Sequence, residues 1–212
     1  MSHDEARDKI LMAMLPHVTF DGWSRRSLAA GVADAGYSPD MALRAFPGGL
    51  RGVAEHFASY MDQKMLTELT HYKIDKMKIR ERIATCVKVR LQLFTPYREA
   101  VRRLVSFLAL PSNTPLATRC AWRTCSVMWY ASGDTSADFN YYTKRGLLTP
   151  VYTTTLLYWL NDGSENFENT WGFLDRRIAD VLKIPMYKAK LQAAVSKLPS
   201  PFKLMRAVCA RV

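Results

Sequence analysis

Cysteine is scarce in this chain: four residues in 212, Cys86, Cys120, Cys125 and Cys209. None stands at the spacing of a zinc site or a redox pair, so with no secretory signal they read as reduced thiols in a cytosolic or matrix setting. Histidine is equally sparse, with His3, His17, His56 and His71 all in the first third, which leaves Cys120 and Cys125 without a base nearby in sequence. Long apolar runs are missing too. Even residues 147–160 are interrupted by Pro150 and several threonines, which excludes a bilayer-spanning helix. No stretch alternates in the way a strand requires, and no glycine-rich phosphate loop follows one. Acid is in short supply: 19 Asp and Glu face 30 Lys and Arg, a formal charge of +11. That excess favours a polyanionic partner, either nucleic acid or an anionic membrane surface, without separating them. The first eight residues, by contrast, are acidic where a transit peptide is basic, so the sequence is bacterial or its presequence has been removed.

What is present is apolar and helical. Hydrophobic residues make up 49% of the chain, enough for a globular core rather than a disordered chain. Residues 6–15 fit a first helix before Pro16 interferes. Ser24 caps a second that carries Leu28, Val32 and Ala35 and closes at Gly36. Ser38-Pro39-Asp40 starts a third, with a hydroxyl at the cap, proline at the first position and acid at the positive end of the dipole; it stops at Phe46-Pro47. Gly48-Gly49 opens a fourth, and residues 74–110 make one long helix or two divided at Pro96. Helices over about 167–182 and 187–198 complete an all-α chain of about nine or ten helices with no internal repeat.

The short helix, the turn at Gly36 and the next short helix resemble the N-terminal module of TetR-type regulators. Its recognition segment is chemically poor for DNA, because Asp40, Met41 and Leu43 stand where cations or aromatic hydroxyls would meet phosphates. The cations crowded between Lys73 and Arg103 read most simply as a solvated helix face.

The richest stretch runs from Trp122 to Arg145. Trp122, Ser126, Met128 and Trp129 share a helical face that Gly133-Asp134 ends, and Ser136 or Asp138 then caps the next helix. In that helix Phe139, Tyr142, Leu147 and Val151 ride one side, with Asn140, Lys144 and Arg145 facing elsewhere. The pattern Gly133-Asp134, Ser136, Asp138-Phe139-Asn140-Tyr141-Tyr142-Thr143-Lys144-Arg145 resembles the signature of the Coq-nine family of coenzyme Q biosynthesis accessory proteins. The likeness continues through Leu147-Leu148, Val151-Tyr152 and Thr154-Thr155 to Phe167-Glu168, Thr170-Trp171, Phe173-Leu174 and Arg177-Ile178. It implies a noncatalytic, lipid-binding protein of TetR-like fold that assists late ubiquinone-ring modification, in particular a di-iron hydroxylase step. It also implies a C-terminal membrane-binding helix.

Three candidate regions follow. Leu91, Phe94, Leu108, Trp122, Val151, Leu156, Trp159 and Phe173, with Phe107 and Trp171, are candidate walls of a lipid site, although helical periodicity marks a filled core equally well. Met128, Tyr130, Tyr141, Tyr142, Lys144 and Arg145 gather residue types that anchor protein interfaces, and a quinone-ring hydroxylase is the partner the resemblance implies. Phe202, Lys203, Met205, Arg206 and Val208 form a short basic amphipathic segment suited to a bilayer interface, or equally to docking on the protein's own core. The chain divides accordingly into a helix-turn-helix part (1–66), a helical lipid-binding domain (67–198) and a membrane-binding tail (199–212). The expected ligand is an isoprenoid quinone precursor or a phospholipid, with no cofactor, metal or nucleic acid, and a homodimer is left open. The expected place is the inner membrane surface, on the cytoplasmic side in a bacterium or the matrix side in a mitochondrion. Two other readings remain: a TetR-type repressor with a lipid-sensing pocket, and a metalloenzyme built on Glu68 and His71, whose Glu-x-x-His spacing has no second copy.

Overall fold

Helical patterning without alternation predicts an all-α chain. The computed structural model, which describes residues 3–136 and 139–196, holds nine α-helices, short 3₁₀ turns and no strand among those residues. They are α1 (His3–Asp21), α2 (Arg25–Asp34), α3 (Met41–Ala45), α4 (Gly49–Leu69), α5 (Ile79–Leu93), α6 (Arg98–Leu108), α7 (Thr114–Ala131), α8 (Phe139–Asn161) and α9 (Glu168–Ser196). The described residues up to Leu174 form one compact unit and those from Asp175 to Ser196 belong to a second. The 66/67 boundary expected from the sequence falls inside α4. Asp138 and the whole tail, including Phe202, Lys203, Met205, Arg206 and Val208, lie outside the described residues.

Prolines interrupt less than expected. α1 runs through Pro16 to Asp21 and buries Ile10, Leu11, Met14, Leu15 and Val18 along one stripe. A mid-helix proline costs about 3 kcal/mol, whereas each aliphatic side chain taken out of water returns roughly 1.5–3 kcal/mol, so the helix is carried past it. α8 likewise contains Pro150. Pro185 does not divide the C-terminal helical stretch in two, since α9 is continuous from Glu168 to Ser196.

The caps follow local chemistry more closely. Ser24 Oγ accepts the amide of Ser27 at 3.2 Å and starts α2. Gly36, at φ 79°, closes α2, with the Gly36 amide on Ala33 O and the Tyr37 amide on Val32 O, both orphan carbonyls of the last turn. α3 starts later than Ser38. The Ser38 carbonyl takes the Met41 amide in a turn, and Asp40 at the cap makes no side-chain cap bond, leaving a recognition segment of five residues. α5 starts at Ile79, where the Lys78 amide donates to Glu81 Oε2 at 3.0 Å, and residues 74–76 form a separate 3₁₀ turn. A second 3₁₀ turn at Thr95–Tyr97 separates α5 from α6, where Pro96 was expected to divide them.

An aromatic column crosses the first unit. Trp23 meets Phe57 edge-on at 5.7 Å, Phe57 stacks on Phe94 at 5.8 Å, Phe94 leans on Trp159 at 6.4 Å, and Trp159 meets Phe167 at 5.7 Å. The indole Nε1 of Trp23 donates to Ala100 O at 3.0 Å, tying the N-terminal helices to α6. Several cations expected on a solvated face instead clasp helix ends. Arg82 donates to Ser132 O at the end of α7, while Arg98 and Arg102 donate to Trp159 O and Leu160 O at the end of α8, where positive charge complements the dipole.

Candidate lipid cavity and aromatic corner

α7 carries Ala117, Cys120, Ala121 and Thr124 at steps of three and one, a stripe of small side chains on one face. Facing helices of normal girth cannot fill the space that such a stripe leaves. The result is a cavity of about 360 Å³ among α4, α5, α6, α7 and α8. Phe57, Phe94, Val101, Leu104, Leu108 and Leu156 supply most of its apolar wall. Ala109, Thr114 and Leu157 line it as well and are solvent-exposed, so they form its mouth.

The floor is polar. Arg90, 1% exposed, lies against Asp62 with Nη1 2.6 Å from Oδ1. Its Nε donates to the Tyr152 hydroxyl at 3.0 Å and its Nη2 to Ala58 O at 3.2 Å. Asp62 also takes Thr124 Oγ1 at 2.9 Å and Arg123 Nε at 3.2 Å. Burial opposes the Arg90 charge, but Tyr152 and Asp62 more than offset it and hold its pKa above the ordinary value. Burial likewise pushes the Tyr152 phenol up, so it stays protonated. A buried cation with fixed partners is a ready donor and a poor acid.

The aromatic corner is built on one carboxylate. Gly133, at φ 83°, lets the Gly133 amide reach Tyr130 O and the Asp134 amide reach Trp129 O, ending α7 as α2 ends. Asp134 then receives Lys144 Nζ at 2.7 Å, Arg145 Nη1 at 3.3 Å and Ser136 Oγ at 2.8 Å. Burial alone would raise the Asp134 pKa, yet the hydrogen bonds from Lys144 and Ser136 win and hold it down at about 2. The Arg145 guanidinium lies 3.4 Å from the Tyr141 ring centroid and donates to Ser126 Oγ and Tyr141 O. Tyr141 meets Tyr142 edge-on at 5.1 Å. Tyr130 and Tyr142 stand out at 76% and 62% exposed.

Residues 114–185, which span the cavity's small-residue helix and this corner, match the family described as COQ9. The chain is 30% identical over 190 residues to the human mitochondrial ubiquinone biosynthesis protein COQ9 and 32% identical to the rat protein, each match covering 86% of this chain. Against COQ9-B of Xenopus laevis it is 33% identical over 192 residues. Residues 114–185 carry the COQ9 family's pattern, and most of the chain is similar to COQ9 proteins. The chain spans about 60% of the length of these relatives: 61% of the rat protein and 59% of the human one. A solved TetR transcriptional regulator from Nitrosomonas europaea superposes with a TM-score of 0.67 at 20% identity, covering 83% of this chain and 97% of that one. The fold is therefore all-α and TetR-like.

Within this COQ9-like chain the predicted wall residues separate. Phe94, Leu108 and Leu156 line the cavity. Leu91, Val151 and Trp159 are packed core, and Trp122 leans on Tyr142 at 6.4 Å in the corner. Phe173 stacks on Tyr158 at 4.6 Å, Trp171 donates to Asn166 O, and Phe107 lines a separate cleft of about 910 Å³ beside α2 and α3. Of the predicted interface residues, Tyr130 and Tyr142 are exposed and Tyr141 and Lys144 half-exposed. Met128 is fully buried on the inward face of α7, and Arg145 turns inward to Asp134 instead of facing away. Glu68 and His71 are exposed near the end of α4, and no cluster of three His, Cys, Asp or Glu able to hold a metal occurs among the described residues. Arg90, Tyr152 and Thr124 were not foreseen. Their signal was a cation on the apolar stripe of Ile83, Val87, Leu91 and Phe94, opposite a helix stripe too small to fill its space.

Proposed function

We propose that this chain is a noncatalytic accessory protein of ubiquinone biosynthesis. It takes an isoprenoid quinone precursor, or a phospholipid, into the cavity between α4 and α8. A quinone-ring hydroxylase docks on the exposed tyrosines of the corner and receives the lipid there. The setting is the inner membrane surface, on the matrix side in a mitochondrion, as the names of the mitochondrial relatives suggest, or on the cytoplasmic side in a bacterium. No described helix is long and apolar enough to cross a membrane, so contact with the bilayer falls to the basic segment at 201–212.

The observation that carries this reading is the cavity itself. It is walled mainly by aliphatic and aromatic side chains, has a few fixed polar groups at one end, and opens beside an exposed leucine, Leu157; such a lining suits an apolar ligand with one polar end. The DNA-binding alternative has less support, because α3 is five residues long and its Arg44 is paired with Asp40 at 3.3 Å. Lipid extraction from purified protein, followed by native mass spectrometry, tests the proposal. A stoichiometric prenyl or acyl lipid is expected, lost in Leu156→Trp, along with liposome flotation that weakens when residues 201–212 are removed. Lipid-free protein that binds duplex DNA tightly and selectively would overturn it.

A further inference from the structure

We infer that Arg90 and Tyr152 recognise an oxygen-bearing head, so that a single-tailed amphiphile sits head inward in the cavity with its tail leaving past Leu157. This rests on the lipid reading above and specifies its geometry. Arg90 is the charged side chain of the cavity lining, and no acid lines the cavity among the described residues; its partner Asp62 lies behind the floor, where Arg123, a third exposed, reaches the same carboxylate. The floor therefore presents a buried guanidinium to the cavity, with its counter-charge behind it and not in the lining. Arg90 Nη1 touches Asp62 but makes no hydrogen bond of acceptable geometry, so donor capacity remains on a fully buried cation. The Tyr152 oxygen accepts from Arg90, and that bond leaves the phenol proton free to give.

The other hydroxyls are committed. Thr124 donates to Asp62 and Thr153 to Thr149 O. The free donors a ligand oxygen meets at the floor are thus those of Arg90 and Tyr152, which suits a ring carbonyl, a phenolic oxygen or a carboxylate and gives a hydrocarbon end nothing. Size points the same way. About 360 Å³ is near the lower end of the roughly 300–1,000 Å³ of ligand pockets, room for a head and the first stretch of tail but not for a long isoprenoid. The two-tailed, bulky-headed phospholipid fits this arrangement least. Head-inward seating keeps the ring away from solvent, and delivery to a hydroxylase becomes a release step.

Calorimetric titration of the full chain with three probes tests this: a farnesyl-substituted phenol, palmitate, and the matched C15 hydrocarbon. The oxygenated probes are expected to bind on the order of tenfold or more tighter than the hydrocarbon. The phenol leading would mark a ring head and palmitate leading a carboxylate head; either supports the inference. Tyr152→Phe should narrow the gap, and Arg90→Met should close it while leaving hydrocarbon affinity in place. If Arg90→Met does not fold, the wild-type and Tyr152→Phe comparison still decides. Equal affinity for all three probes in the wild-type chain overturns head-inward recognition while sparing the lipid cavity, whereas no binding of any probe overturns both.

Discussion

Asp134 shows how much one side chain can organise. It is 5% exposed and holds Lys144, Arg145 and Ser136 together across the turn between α7 and α8. Arg145, thus anchored, lies flat against Tyr141, so the carboxylate indirectly sets the pose of the corner's central ring. From sequence alone Asp134 reads as a cap, because its partners ten and eleven residues on come within reach only after the chain has reversed. Its pKa of about 2 lies below the ordinary 3.8. A lowered carboxylate pKa contributes stability in full above the unfolded value and loses it as pH falls from about 4 through about 2. Asp162, also near 2 through Thr170 and Ser164, acts in the same window. Asp134→Asn is therefore expected to lower stability by about 3 kcal/mol at neutral pH, since the buried Arg145 loses its counter-charge. It should also flatten, without abolishing, the decline between pH 4 and 2. Urea unfolding at pH 7 and pH 3 measures both, and an unchanged acid slope in the variant would contradict the clamp.

Among the helices, most of what depends on neighbours in sequence was legible, the Ser38 start of α3 excepted, and what depends on distant packing was not. The ends at Gly36 and Gly133, the Ser24 cap and the break at Pro96 are local chemistry. The passage of α1 through Pro16 is not, because it is bought by side chains buried against other helices. The same holds for Arg82, Arg98 and Arg102, which look like a solvated stripe until the ends of α7 and α8 arrive beside them. Gly133 offers a direct check on the local part. An added Cβ there would force an L-residue to φ 83° and stand 3.3 Å from Arg82 Nη1, at a backbone cost of about 1–2 kcal/mol. In a chain of this size that lowers the thermal midpoint by roughly 2–8 °C. Gly163→Ala, with nothing within 4 Å and no positive φ, should leave it almost unchanged. Equal melting of the two variants would mean that the α7 end does not depend on the left-handed residue.

For the molecule as a whole, the all-α TetR-like architecture was readable because helix lengths, caps and the aromatic corner all agree. The cavity was only half readable, since periodicity marks which residues are buried and says nothing of whether their volumes sum to the space available. Leu91, Val151 and Trp159 carry the same pattern as Phe94 and Leu156, yet fill their space. The cysteines give the cavity a built-in reporter. Cys120 lines it, whereas Cys86 and Cys125 are buried outside it with thiols pushed up to about 11. In a Cys209→Ser chain, a small thiosulfonate reagent should modify Cys120 through the mouth and reach Cys86 and Cys125 only on unfolding. A farnesyl phenol at about ten times its dissociation constant should slow Cys120 by about tenfold, because only the unoccupied fraction reacts, and leave the other two untouched. Leu156→Trp should slow Cys120 with no lipid present and remove the lipid's effect. If Cys120 reacts at one rate whether or not lipid is bound, the lipid sits elsewhere, and the cleft of about 910 Å³ beside α2 and α3 becomes the place to look.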